Sequence, residues 1–467
     1  MKKALFLYTC WLLLAGSMMS SCKKLIEIGP PKDQLASNSV FLDSTTAEAA
    51  MIGLYANVAN PNPGNDMGTA ITVFNSMSAD ETYAFSMNFY DDFTNNSLTP
   101  LYYYIDGLWS TIYKNIYIAN SVITGMPGSP LSEAYKQRAV GEARFIRAFC
   151  YFYLVNEYGA VPLVLSTDVN TTTMQPRDNV DEVYDQIEKD LTDAQKVLPA
   201  TLDYYGGKRI RATTWAADAL LARVYLYRGK WQQAESMATS VINNPGLFSL
   251  NASPDQVFLA NNQEGILQFV NSITSSWIAN NFVPTALSTT PKFVLKDGLH
   301  EDFEPGDKRK TSWVGYKSYG GINYPYPAKY KYMAGVGAVE YNQVLRLSEQ
   351  YLIRAEARTQ QSNYTQAAAD INSVRSRAGL SATKATDKAT LLAAIEHERR
   401  IEFFCEWGYR WLDLKRWPGL SDPAVSRADE VLSHLKGNQW QPTDALYPIP
   451  QSAINSNVNL TQNKGYF

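Results

Sequence analysis

Histidine and cysteine are scarce in this chain of 467 residues, which has only His300, His397 and His434 and the cysteines at positions 10, 22, 150 and 405. No histidine stands near another His or a Cys at ligand spacing, so the local sequence offers neither a zinc centre nor a Cys–His nucleophile pair. An excess of basic charge is missing too: 42 Lys and Arg stand against 45 Asp and Glu. That balance lacks the electrostatic footprint of a nucleic-acid binder. An apolar run of the roughly 20 residues that a membrane-crossing helix needs is also wanting at the amino terminus. There, Lys2 and Lys3 precede a short apolar run over residues 4–15 and a small-residue stretch over 16–21 that ends at Cys22. This reads as a secretory signal peptide, residues 1–21, with Cys22 as the acylated first residue of a membrane-anchored chain. Cys150 and Cys405 sit in apolar helical text and read as small buried thiols.

Aromatic side chains are plentiful, with 30 Tyr, 18 Phe and 10 Trp, so the placement of these rings becomes the main question. Much of the chain reads as helix pairs. Residues 215–243 carry Leu221, Ala222, Tyr225, Trp231, Ala234, Ala238 and Val241 in the pattern of a tetratricopeptide pair, with Gly229 at the turn. A second pair spans 347–375 and a third spans 133–198, where Phe145, Phe149, Phe152 and Val155 recur at helical spacing before Gly159. Trp109, Ile112, Tyr113, Ile116 and Tyr117 share that spacing and are expected in the core. The fold class is therefore mostly α: tetratricopeptide-like pairs forming one large helical domain over residues 22–467, because a single pair cannot bury its own apolar face. Two long segments, near 60–100 and 250–340, are rich in Gly, Pro, Asn and Ser and read as loops with a few short strands.

No string in the chain forms a convincing catalytic constellation. The run His300, Glu301, Asp302, Phe303, Glu304 reads as a solvated acidic loop, and Gly335, Gly337 and Glu340 lack the strand-to-helix setting of a phosphate-binding turn. The dense segment over 398–417 pairs Glu402 and Glu406 with Arg399 and Arg410 at three- and four-residue spacing, while Phe403, Trp407, Trp411 and Leu414 bury one face. It reads as structure. A carboxylate pair for glycoside hydrolysis is set by space and not by sequence, so a surface glycosidase stays open at this point. A tetratricopeptide scaffold for protein partners stays open as well.

The carboxy-terminal third resembles the SusD/RagB family: RLSEQYLIRAEA (residues 346–357), AAADINSVRSRAGL (367–380), the 398–417 string, LYPIP (446–450) and the closing NVNLTQNKGYF (457–467), in that order. GEARFIRAFCYFYLVNEYGAVPLV over 141–164 is similar to the family's most recognisable amino-terminal motif, and IEIGPPKDQL and residues 47–55 also fit. The resemblance implies a non-catalytic lipoprotein of the outer membrane, displayed at the cell surface. It would act as the lid of a SusC-like TonB-dependent transporter, capture oligosaccharides, or peptides in some members, and need no cofactor and no metal.

A sugar presents a flat CH face and a rim of hydroxyls, so its binding surface needs exposed rings beside a few amide or charged groups. Trp313, Tyr316, Tyr319, Tyr324, Tyr326, Tyr330 and Tyr332 are interrupted by Gly and Pro, which argues against a buried helix face. Residues 83–93 add Tyr83, Phe85, Phe89, Tyr90 and Phe93 beside Asn88, and Trp277 stands near Asn280. The candidate ligand contacts are therefore Trp277, Trp313, Tyr316, Tyr83, Phe89, Tyr90, Asn88 and Asn280, with the two tryptophans expected as stacking platforms.

Overall fold

A computed structural model describes residues 40–59, 67–86, 88–270, 277–285, 288, 290–333 and 338–466. Residues 1–21 and Cys22 lie outside the described residues, as do the side chains of Asn88 and Trp277. The first half is helical: α1 (Ser44–Val58), α2 (Met67–Ser78), then strand β1 (Thr82–Ala84), α3 (Tyr103–Gly125), α4 (Glu133–Tyr158) and α5 (Val180–Val197). Local chemistry sets the ends of these helices. Ser132 caps α4 by accepting from the Tyr135 N–H, and the chain leaves α4 through Gly159 at φ 72°. Asn179 and Glu182 form a reciprocal capping box at the start of α5, and Pro199 follows its end.

The tetratricopeptide pattern at 215–243 is α6 (Thr214–Tyr227) and α7 (Trp231–Ile242), turned by Gly229 at φ 67°. After strand β2 (Gly265–Phe269), helix α8 (Trp277–Phe282) and strands β3 (Phe293–Leu295), β4 (Val314–Tyr319), β5 (Ile322–Pro327) and β6 (Asn342–Arg346), the helices resume. The pair α9 (Leu347–Gln360) and α10 (Tyr364–Ala378) follows, then α11 (Lys388–Phe403), α12 (Tyr409–Arg416) and α13 (Arg427–Lys436). Ala222, Leu226, Ala234 and Ala238 pack with Ile353 and Ala357. Alanine at these positions lets α6, α7 and α9 approach closely, which stacks one helix pair on the next.

One apolar core runs from Phe41 to Leu460 and takes in Phe149, Trp407 and Trp411. Cys150 and Cys405 are buried and unpaired, as the sequence predicts. Trp109, Ile112 and Ile116 are buried as well, whereas Tyr117 is about half exposed, so α3 turns one edge of its stripe to solvent. The 398–417 string differs from the continuous helix implied by its spacing. Helix α11 stops at Phe403, and Cys405 (φ 51°), Trp407 (φ 42°) and Gly408 (φ 69°) reverse the chain before α12. A Cβ on residue 408 would lie 2.1 Å from the Asn75 amide nitrogen, so the reversal needs glycine.

The ion pairs of that string change accordingly. Glu402 meets Arg309, Arg346 and Arg377, Glu406 meets Lys329 and Arg346, Arg399 meets Asp413, and Arg410 meets Asp80 and Glu396. None is the expected pairing along one helix: the break at 404–408 separates Glu406 from Arg410, while Arg399 and Glu402, both within α11, turn to Asp413 and to the arginines of other elements.

Candidate functional site

The three sheets of the described residues each have two antiparallel strands, β1–β3, β2–β6 and β4–β5, and two of them build the exposed aromatic face. Strand β1 lies on β3 with Tyr83 opposite Val294, and the Phe85 N–H donates to the Lys292 carbonyl at 2.9 Å. Strands β4 and β5 form a hairpin whose two turn residues, Gly320 and Gly321, both have positive φ (58° and 82°), as a tight primed turn requires. Gly315 lets the hairpin close: a Cβ there would meet the Tyr326 ring at 2.3 Å.

Phe85 joins strand and hairpin. Its ring makes edge contacts with Tyr319 (5.9 Å) and Tyr324 (4.8 Å). On its other side, Phe89 and Tyr90 pack on one another (4.5 Å) and on Tyr104 (6.2 and 5.1 Å), and Tyr90 reaches Phe293 at 5.6 Å. Tyr102 donates from its hydroxyl to the Phe89 carbonyl, which ties this turn to the start of α3. Phe89 (52%), Tyr103 (62%), Tyr316 (50%) and Tyr319 (50%) keep much of their surface in solvent. Exposed rings clustered on ordered backbone are what a stacking surface requires.

The base of this face is anchored by charge. Arg410 grips Asp80 through two bonds of 2.8 and 2.9 Å, and Arg400 adds a third at 2.9 Å. Burial alone would raise the Asp80 pKa, but Arg410 and Arg400 hold it well below the usual carboxylate range. The adjacent Glu81 behaves oppositely: burial pushes its pKa up to about 8, and its carboxylate accepts from the Cys405 N–H at 3.1 Å. His300 shares a 2.9 Å hydrogen bond with the Tyr316 hydroxyl, and burial, with Lys310, pulls its pKa below the usual value. The imidazole thus steadies the hairpin in its neutral form at neutral pH. In the rest of that run Glu301 is exposed, as a solvated loop would have it, whereas Asp302 pairs with Arg400, Glu304 with Arg375, and Phe303 is buried.

Of the residues expected to contact ligand, Tyr83 shares with Phe85 one side of β1, whereas Phe89 and Tyr90 pack on the opposite side, where Tyr90 meets Phe293. Tyr316 lies on the side of the hairpin away from Tyr319 and Tyr324, so these rings neighbour one another without sharing one side; Tyr83 and Tyr90 are half-buried. Asn280 lies in α8 beside these rings, its carbonyl accepting from the Lys292 ammonium at 3.2 Å. Trp313 is corrected. It is fully buried at the end of a helical turn, Lys308–Trp313, with its indole N–H on the Pro254 carbonyl at 3.0 Å and its ring against Phe258 and the Lys329 ammonium. The Gly and Pro interruptions that expose the hairpin begin only after it. Phe93 is likewise buried, stacked on Phe74 at 4.2 Å. Sequence spacing does not point to Tyr103 or the neighbouring exposed Leu101, although the run Tyr102, Tyr103, Tyr104 that follows Pro100 and Leu101 marks a helix start rich in rings.

Comparison with known proteins matches residues 291–466 to the SusD family and residues 27–226 to a family described as starch-binding and associating with the outer membrane. A SusD-like protein of Formosa agariphila, P2, is 26% identical, with 93% of this chain and 95% of the relative covered. Among solved structures, a SusD superfamily protein from Bacteroides vulgatus superposes with a TM-score of 0.78 at 21% identity over 91% of this chain and 99% of its own. A laminarin-binding SusD-like protein gives a TM-score of 0.73 at 25% identity, covering 91% of this chain and all of the other.

Proposed function

We propose, from the premise that this chain belongs to the SusD family of starch- and glycan-binding proteins, that it captures oligosaccharides at the cell surface without altering them and passes them to a SusC-like TonB-dependent transporter. The observation that carries the reading is the group of exposed rings on neighbouring segments, Phe89 and Tyr103 beside Tyr104, and Tyr316 and Tyr319 on the hairpin, with Phe85 supporting Tyr319. Such a face tolerates many sugars, because stacking reads the flat CH side of the ring and leaves identity to hydroxyl contacts at the rim. A folded unit of residues 22–467, held at the outer membrane by acyl chains on Cys22, would present that face while the anchor stays separate from it.

Phe89→Ala and Tyr316→Ala are each expected to weaken oligosaccharide binding by about 1–2 kcal/mol. Melting temperature should hardly move, since each ring is about half exposed. Calorimetric titration against laminarin and starch oligosaccharides reads this directly. Binding without shortening of the chains supports capture, shortening would show hydrolysis, and binding of peptides alone would redirect the reading to peptide capture. Cys22→Ala is expected to release the protein from the membrane fraction with unchanged circular dichroism. Continued pelleting after high-salt washing, in cells lacking the transporter, would contradict acylation at Cys22.

A further inference from the structure

Lys436, the last residue of α13, reaches back to the base of the ring-bearing segment. Its ammonium donates to the Ser78 carbonyl at 2.6 Å, to the Met77 carbonyl at 3.2 Å and to the side-chain oxygen of Asn96. Met77 and Ser78 close α2 and so stand immediately before the segment 79–95, whereas Asn96 stands immediately after it. One cation therefore ties together both ends of the stretch that carries Tyr83, Phe85, Phe89 and Tyr90. The two helix carbonyls bring the partial negative charge of a helix terminus to the ammonium. Asn96 is buried in a left-handed turn (φ 55°), and its amide nitrogen has no hydrogen-bond partner among the described residues.

We propose that Lys436 is a positioning residue for the ligand face, stapling the two ends of segment 79–95 so that its rings are held in the arrangement that receives a glycan. The inference rests on the reading of that face as the glycan site. Among the described residues no carboxylate pairs with this ammonium. Burial pulls its pKa well below the usual lysine value, Lys296 adds repulsion, and Asp80 and Asp444 pull the other way. Methionine removes the desolvation cost of the buried ammonium but leaves the Met77, Ser78 and Asn96 oxygens without that donor, and the two effects largely offset in net stability. What methionine cannot supply is the bridge between Ser78 and Asn96. With the staple gone, the segment samples open arrangements, and apparent affinity falls by the fraction of time the binding arrangement is populated.

The test compares full-length Lys436→Met and Lys436→Arg with the native chain by amide hydrogen exchange, thermal melting and titration with laminarin and starch oligosaccharides. In Lys436→Met, exchange over residues 79–97 is expected to rise selectively while α6 and α7 stay protected. Affinity for whichever oligosaccharide the native chain binds should drop about tenfold. Melting temperature should change by only a few degrees. Lys436→Arg, which keeps the cation, should recover much of the protection and affinity. Native exchange over 79–97 in Lys436→Met would overturn the staple even if neither oligosaccharide bound. Faster exchange with native affinity would overturn the positioning role. Failure of the face itself is read separately, as native affinity in both Phe89→Ala and Tyr316→Ala.

Discussion

Replacing Glu402 with alanine is expected to destabilise the protein by about 3–5 kcal/mol, the cost of breaking a buried ion pair by removing one partner. Glu402 is fully buried, with one carboxylate oxygen on Arg346 (2.8 Å) and Arg377 and the other on Arg309 (3.0 Å). Those arginines do not stand free of other partners. Arg346 also meets Glu264 and Glu406, and Arg309 meets Asp307 and Glu398. The network tethers β6, α10, α11 and the turn before β4, and removing its central carboxylate takes one partner from each of three buried arginines, leaving Arg377 with only Glu264 at 3.5 Å among the described residues. Burial alone would raise the Glu402 pKa, but Arg377, Arg346 and Arg309 hold it well below the ordinary value of 4.5. Its contribution is therefore complete above 4.5 and is lost as pH falls toward the lowered value. Glu81 has the opposite sign: with its folded pKa raised to about 8, stability present at low pH is lost as pH rises from 4.5 through that value. Chemical denaturation of Glu402→Ala at neutral pH checks the magnitude, and Glu402→Gln should show a flatter acid limb than the native chain. Native stability in Glu402→Ala together with lost glycan affinity would move this cluster from structure to function.

Trp313→Ala should also cost about 3–5 kcal/mol, through the cavity left by a fully buried indole. The loss strips a ring from Phe258, at 5.6 Å, and from the Lys329 ammonium, 4.7 Å from its centroid. It also leaves the Pro254 carbonyl without its indole donor. Any fall in ligand affinity would follow from disorder of the hairpin that begins at the next residue. The contrast with Tyr316, three residues along the chain, makes the experiment informative: Tyr316→Ala should change affinity and spare the melt, and Trp313→Ala should do the reverse. Urea unfolding of both variants beside titration separates the two outcomes. A native unfolding midpoint for Trp313→Ala would contradict its placement in the core.

The helix pairs, their turn at Gly229, the burial of Cys150 and Cys405 and the family were legible from residue order. Each is written locally, in apolar spacing, a cap or a run of consecutive motif residues. The ring-rich segments could be recognised as loops for the same reason, since Gly and Pro punctuate them in sequence. What could not be read was which side of those loops faces inward. Trp313 and Tyr316 stand in the same aromatic text, yet one closes a helical turn over Phe258 and the other projects from a hairpin that Phe85 supports from a distant strand. The charges behaved alike. Three- and four-residue spacing pairs Glu402 with Arg399, but packing of α11 against distant elements gives Glu402 to Arg346 and Arg399 to Asp413, and a left-handed reversal at Cys405, Trp407 and Gly408 sends Arg410 to Asp80. Periodicity and caps belong to one segment at a time and are visible in its letters. Exposure, ion pairing and the convergence of rings into a binding face depend on which distant segments pack together, and only the tertiary structure decides that.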